Sequence, residues 1–204
     1  KLKGIYAITP PKFDEIKLLN DINICLDCGV KIFQIRYKEE ITKELKNFFS
    51  ALIKLIKEKD GIAIINDFPH LAHDIGADGV HLGKTDLSVQ FVRSAYKNLI
   101  IGKTCKSSTE EAKKAINEGA NYVSFGAFSN SLTKKEAIPI EKSDLGLINK
   151  FNASNKAIIG GISKENFHKV AELNFDMIAL SNAIFNSQDT AKSASFFVNN
   201  FNFE

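Results

Sequence analysis

Apolar residues recur along this chain in short uninterrupted runs. Each run is followed by a stretch in which they return every three or four positions. The first pattern predicts buried strands and the second predicts amphipathic helices. The strands so predicted are GIYAIT (4–9), KIFQIR (31–36), GIAIIN (61–66), GVHLG (79–83), LIIGKT (99–104), YVSFGA (122–127), AIIGGI (157–162) and MIALSN (177–182). Helical stretches between them include KLLNDINICLDC, KELKNFFSALIKLIKE, SVQFVRSAYK, STEEAKKAINEG and KENFHKVAEL, with a short helix expected near Pro69 and TAKSASFFVNNF closing the chain. Strands alternating with helices throughout predict parallel pairing and closure into an α/β fold, a single (β/α)8 TIM barrel spanning residues 1–204. An open doubly wound sheet is the competing arrangement.

An internal repeat supports closure. GVKIFQIR (29–36), GADGVHLG (76–83), GANYVSFG (119–126) and NFDMIALS (174–181) share one register. The leading Gly or Asn suits a left-handed helix C-cap. Phe33, Ile35, Val80, Leu82, Val123, Phe125, Ile178 and Leu180 are the large apolar positions of the repeat, while Gln34, Arg36, His81, Gly83, Ser124, Gly126, Ala179 and Ser181 alternate with them. Side chains alternate across a strand, so the first set is expected to face the helices and the second the barrel interior. The polar interior positions then fall at the C-terminal ends of the strands, the rim where such barrels carry their chemistry.

That rim collects Gln34, Arg36, Lys38, Asn66, Asp67, His81, Asp86, Thr104, Ser131, Thr133, Lys134, Gly160 and Gly161. Asp67 and Asp86 follow consecutive strands. As parallel neighbours, those strands would bring both carboxylates to one place. Such a pair suits Mg2+, which takes one or two protein carboxylates and fills its other positions with water and phosphate oxygens. The alternative is that Asp67 only caps the helix beginning near Pro69.

Composition adds a few constraints. The net charge is +3, with 44% hydrophobic and 25% charged residues, which is ordinary for a globular protein and argues against nucleic acid. Lysine is the default cation, and only Arg36 and Arg93 are arginine. An arginine at a strand end therefore suggests forked phosphate binding. Three cysteines without paired spacing argue against a disulfide framework. Cys25 and Cys28 are expected on a helix face or in the core, and His70 and His73 on a surface. No signal-peptide core or membrane-length apolar run is present, so no membrane association is expected and the cytoplasm is the default compartment. A homo-oligomer is left open.

QIRYK (34–38), ND (66–67), GADGVHLG followed by Asp86, YVSFG with SLTK (131–134) behind it, and IIGGI with NAIF near the end resemble thiamine-phosphate synthases over roughly residues 4 to 185. The resemblance implies a Mg2+-dependent transferase that joins hydroxymethylpyrimidine diphosphate to thiazole phosphate. It implies that Arg36, Lys38 and Lys134 carry catalysis by holding the diphosphate with Asn66 and Thr104, and that Asp67 and Asp86 bind the metal. Gln34 and His81 would line the pyrimidine pocket, with Ile35 and Tyr37 from the same strand end. Ser131, Leu132 and Thr133 would meet the thiazole phosphate side, with backbone donors from Gly161 and the Ser181–Asn182 turn. The chain departs from the pattern at Lys84, Thr104, Lys106, Ser131 and Asn182. Related thiazole tautomerases carry a catalytic His where this chain has Ala127, and a non-catalytic regulatory barrel is the second rival.

Overall fold

The computed structural model describes residues 2–130, 138–153 and 155–201. Eight parallel strands close into a barrel in chain order: β1 (Gly4–Ile8), β2 (Ile32–Ile35), β3 (Ile62–Asn66), β4 (Gly79–Leu82), β5 (Ile100–Lys106), β6 (Tyr122–Gly126), β7 (Lys156–Ile159) and β8 (Met177–Leu180), with β8 pairing back onto β1. The open-sheet alternative is thereby excluded. Around the barrel lie α1 (Glu15–Asp27), α2 (Lys43–Glu58), α3 (Pro69–Asp74), α4 (Val89–Ala95), α5 (Thr109–Asn117), α6 (Lys142–Lys150) and α7 (Phe167–Ala171). A short α8 (Asn182–Phe185), which periodicity does not reveal, precedes the closing α9 (Thr190–Asn200).

Local sequence explains the boundaries. Asp14, Thr42, Ser88, Ser108 and Asp189 each accept a hydrogen bond from the backbone N–H three residues on, capping α1, α2, α4, α5 and α9. Gly29, Gly76 and Gly119 end α1, α3 and α5 at φ of +95°, +69° and +103°. After each, the next N–H bonds five residues back: Val30 to Cys25, Ala77 to Ala72 and Ala120 to Ala115. This is the left-handed helix end expected for the repeat. Asn174, the fourth member, does not follow, since it is not among the positive-φ residues. Its N–H donates instead to Asn149 Oδ1 at 2.6 Å, so side-chain capture replaces the turn.

The alternation along the strands separates two apolar layers. Phe33, Ile35, Val80, Leu82, Val123, Phe125, Ile178 and Leu180 pack between sheet and helices, as the repeat predicts. Tyr6, Ile8, Ile32, Tyr122, Ala157, Met177 and Ala179 fill the barrel interior. The interior is packed by complementary sizes. A Cβ at Gly102 would lie 2.0 Å from Tyr122 Cζ, so the missing side chain on β5 makes room for the ring on β6. Gly102 does not have a positive φ, and Gly→Ala at such a site ordinarily stabilises by about 0.4–1 kcal/mol. Here overpacking, at about 1–3 kcal/mol, should win. Gly102→Ala should lower stability by about 1–2 kcal/mol in urea denaturation, and an unchanged or raised midpoint would contradict this packing.

Candidate active site

Strand pairing brings the two acids together. Asn66 on β3 is the register partner of His81 on β4, and the pairing runs one step further through the Asp67 N–H to the His81 carbonyl at 2.9 Å. Asp67 has φ of +66°, a left-handed backbone that non-glycine residues seldom adopt and that clusters at functional sites. Its side chain does not cap α3. Phe68 occupies the N-cap and makes no side-chain cap bond. Instead the Asp67 carboxylate accepts from Lys38 and hydrogen-bonds the Asp86 carboxyl.

Asp86 is set by the turn that follows β4. Gly83 N–H donates to Asp86 Oδ2 at 2.5 Å, while Lys103 from β5 holds the Gly83 carbonyl at 2.5 Å. A Cβ at Gly83 would stand 2.9 Å from Asp86 Oδ2 and 3.9 Å from Asp67 Oδ1, so both carboxyls converge above this glycine. Burial by itself would raise the Asp67 carboxyl, but the Lys38 bond and the hydrogen bond from Asp86 draw it below the usual carboxylate range. Asp86 moves the other way, raised by burial and by the neighbouring Asp67. The two carboxyls thus shift in opposite directions, as expected when like charges share one site.

Cations and an unpaired donor surround this pair. Lys38 is half exposed at the rim. Arg36 anchors its backbone N–H on Thr9 Oγ1 at 2.9 Å, while its guanidinium makes no hydrogen bond among the described residues. Burial lowers the pKa of that guanidinium and the nearby Asp67 opposes the shift; an arginine stays charged throughout. Asn66 is 6% exposed, and its Nδ2 is buried without a hydrogen-bond partner among the described residues. An unpaired buried donor costs about 1–3 kcal/mol. Its position beside Asp67 suits an arriving oxyanion.

Among the described residues no group of three or more His, Cys, Asp or Glu could hold a metal. The pair fits a hard cation that completes its shell with water and ligand oxygens. It does not fit a closed structural site.

Other expected residues fall into three groups. Gln34 and His81 are buried in the interior just below the rim, and Thr104 lies two residues before the end of β5, which runs on to Lys106 beyond the expected strand 99–104. Gly161 follows β7 at φ of +65°, packed against the Ser129 and Asn130 carbonyls, and Ser181–Asn182 opens α8. Ile35 and Tyr37 are placed differently. Ile35 lies in the helix-facing layer, and the Tyr37 ring packs on Phe13 and Phe49. Alternation turns both side chains from the site, leaving them only backbone contacts with a ligand. Ser131, Leu132, Thr133 and Lys134 lie outside the described residues.

Tyr6, Tyr122 and Lys103 were not anticipated. Tyr122 occupies an inward repeat position two residues before Ser124, so its placement was readable, but its role depends on Tyr6 across the barrel. Two grooves, of about 310 Å³ between α7 and α9 and about 220 Å³ beside the start of α1, contain none of the expected site residues.

A family model described as thiamine monophosphate synthase matches residues 5–184. The chain belongs to the thiamine monophosphate synthase family. The thiamine-phosphate synthase of Pelagibacter ubique is 37% identical over 188 residues, covering 91% of this chain and 90% of that protein. That of Nitrosospira multiformis is 34% identical over 204 residues, covering 97% and 85%. Relatives of this name are transferases. A solved thiamine phosphate pyrophosphorylase from Pyrococcus furiosus superposes with a TM-score of 0.86 at 28% identity, covering 98% of this chain and 95% of that one. A 3-hexulose-6-phosphate synthase from Salmonella typhimurium, 16% identical with a TM-score of 0.74 over 97% and 98% of the two chains, shares the fold alone.

Asn66 gives a direct test of the site. Asn66→Ala removes an amide whose unmet donor costs about 1–3 kcal/mol, so stability should not fall. Binding of inorganic diphosphate with Mg2+, measured by calorimetry, should weaken about tenfold or more. Unchanged binding would remove Asn66 from the site.

Proposed function

We propose that this chain is a thiamine-phosphate synthase that works with Mg2+ held between Asp67 and Asp86. It would transfer the hydroxymethylpyrimidine group from its diphosphate to the nitrogen of thiazole phosphate. The products are thiamine monophosphate and diphosphate. The observation that carries this reading is the convergence of the two carboxyls over Gly83, with Lys38 bonded to one of them and the unpaired Asn66 amide alongside.

In the reaction the methylene C–O bond breaks, its electron pair leaving on the diphosphate. The thiazole nitrogen lone pair then forms the C–N bond. The pyrimidine 4-amino group stabilises the intervening cation, so no protein nucleophile is required. The protein's task is to stabilise the departing charge and exclude water. Arg36 and Lys38 lie against the leaving diphosphate, with Lys134 assigned there by resemblance, and Asn66 and Thr104 add neutral donors. When bound, Mg2+ supplies two further positive charges to the phosphate oxygens. Gln34 and His81 orient the pyrimidine, and Gly161 with Ser181–Asn182 receives the thiazole phosphate.

The rival thiazole tautomerase reading lacks its base, since Ala127 stands at the position in question and is buried. No helix among the described residues is long and apolar enough to cross a membrane. Cys25, Cys28 and Cys105 are all free, and burial pushes the Cys25 and Cys105 thiols up to about 12. Inert unpaired thiols suit a reducing cytoplasm, which we take as the compartment.

Supplying both substrates and Mg2+ should yield thiamine monophosphate; ligand binding without turnover would identify a regulatory barrel instead. Asp67→Asn should keep the fold, because Asp67 is a rim residue, and reduce turnover by about 10²–10³ or more. Near-normal turnover of this variant would refute the metal assignment. A site with two carboxylates should also bind Mn2+ weakly alone and far more tightly with diphosphate, as read by electron paramagnetic resonance. Equal affinity in both conditions would contradict it.

A further inference from the structure

Five polar side chains run hydrogen-bonded across the barrel interior, from Gln34 on β2 to Thr104 on β5. Gln34 Nε2 donates to the Tyr6 hydroxyl at 2.7 Å, and the Tyr6 and Tyr122 hydroxyls lie 2.7 Å apart. Tyr122 meets His81 Nδ1 at 2.9 Å, and His81 Nε2 meets Thr104 Oγ1 at 2.8 Å. Tyr6 and Tyr122 are each 1% exposed. Burial pushes both phenols far above their ordinary range, so each keeps its single proton.

One proton per phenol gives the chain a direction. With Gln34 donating, the Tyr6 oxygen accepts and its proton goes to Tyr122. The Tyr122 proton must then go to His81 Nδ1. A neutral imidazole that accepts at Nδ1 carries its proton on Nε2, and that N–H donates to Thr104 Oγ1. The threonine proton is left over. Among the described residues it has no acceptor, and neither does the Gln34 carboxamide oxygen have a donor. In the opposite sense Thr104 would donate to Nε2 and offer only lone pairs to the rim, to which an anion has no proton to donate.

We propose that Tyr6 and Tyr122 are positioning residues that transmit the sense of the Gln34 amide to His81, hold it as the Nε2–H tautomer, and so make Thr104 a hydrogen-bond donor to the diphosphate. The identity of the anion rests on the function proposed above; the tautomer does not. Neither tyrosine touches substrate in this account. Both act through His81 and Thr104, and the substrate meets an acceptor at Gln34 and a donor at Thr104, the two ends of one relay.

Two measurements decide it. In protein labelled with 15N-histidine, a long-range proton–nitrogen correlation should show His81 with Nδ1 unprotonated and Nε2 protonated, the resonances assigned by their loss in His81→Asn. The opposite tautomer would overturn the proposal. The second measurement is a cycle read as inorganic diphosphate affinity in the presence of Mg2+. Thr104→Val should weaken binding about tenfold to a hundredfold, the range of a hydrogen bond to a charged group. Tyr122→Phe should weaken it by up to about tenfold in the wild-type background, with no further loss in Thr104→Val. Equal loss in both backgrounds would mean the tyrosine is merely structural, and no loss in either would sever the relay. If Tyr122→Phe does not fold, Tyr6→Phe runs the same cycle. Failure of the wild-type protein to bind diphosphate would refute the proposed function, while the tautomer would still decide the relay.

Discussion

Two carboxyl groups held against each other at the rim of the barrel are the constraint around which the site is built. Unit charges about 4 Å apart near a protein surface interact by about 4 kcal/mol, and for like charges that energy is repulsive. Lys38, which bonds Asp67, offsets part of it, and Asp86 beside Asp67 is raised above the usual carboxylate range. A divalent cation would reverse the sign of the problem. The fold keeps the pair together regardless, because β3 and β4 are hydrogen-bonded neighbours and Gly83 has no side chain to hold the carboxyls apart. Lys103 fixes the Gly83 carbonyl, so the turn that presents Asp86 is tied to β5 as well as β4.

Everything else at the rim follows from the same geometry. Closure of the barrel puts the ends of β2, β3, β4 and β5 side by side: Arg36 and Lys38 bring the cations, Asn66 and Asp67 a donor and an acid, His81 an imidazole and Thr104 a hydroxyl. Apart from Arg36 with Lys38 and Asn66 with Asp67, these residues are distant from one another in sequence. Their proximity is a property of parallel strands whose C-terminal ends share one face.

Much of this was legible because a strand reverses its side chains at each residue. A register shared by four strands assigned Phe33, Val80, Phe125 and Leu180 to the helix side and Gln34, His81 and Ser124 to the interior, and the structure places them so. The same rule, carried two positions back, puts Tyr122 inside. It could not disclose the relay, since Tyr6 and Tyr122 are 116 residues apart and meet only when β1 and β6 face each other across a closed barrel. Asn174 defeated the repeat for a different reason: a side chain on α6 captured its N–H, which removed the need for a left-handed turn. Short α8 was hidden because four residues do not establish a helical period. Motif resemblance, which is blind to alternation, carried Ile35 and Tyr37 into the site along with the residues between which they lie.

The direct measurement of the central claim is a crystal structure with diphosphate and Mn2+, the metal located by its anomalous scattering. The account predicts one metal peak ligated by Asp67 and Asp86, with diphosphate oxygens completing its shell and Lys38 and Arg36 on the same anion. Metal bound elsewhere, or the two carboxylates turned toward different cavities with diphosphate present, would contradict it.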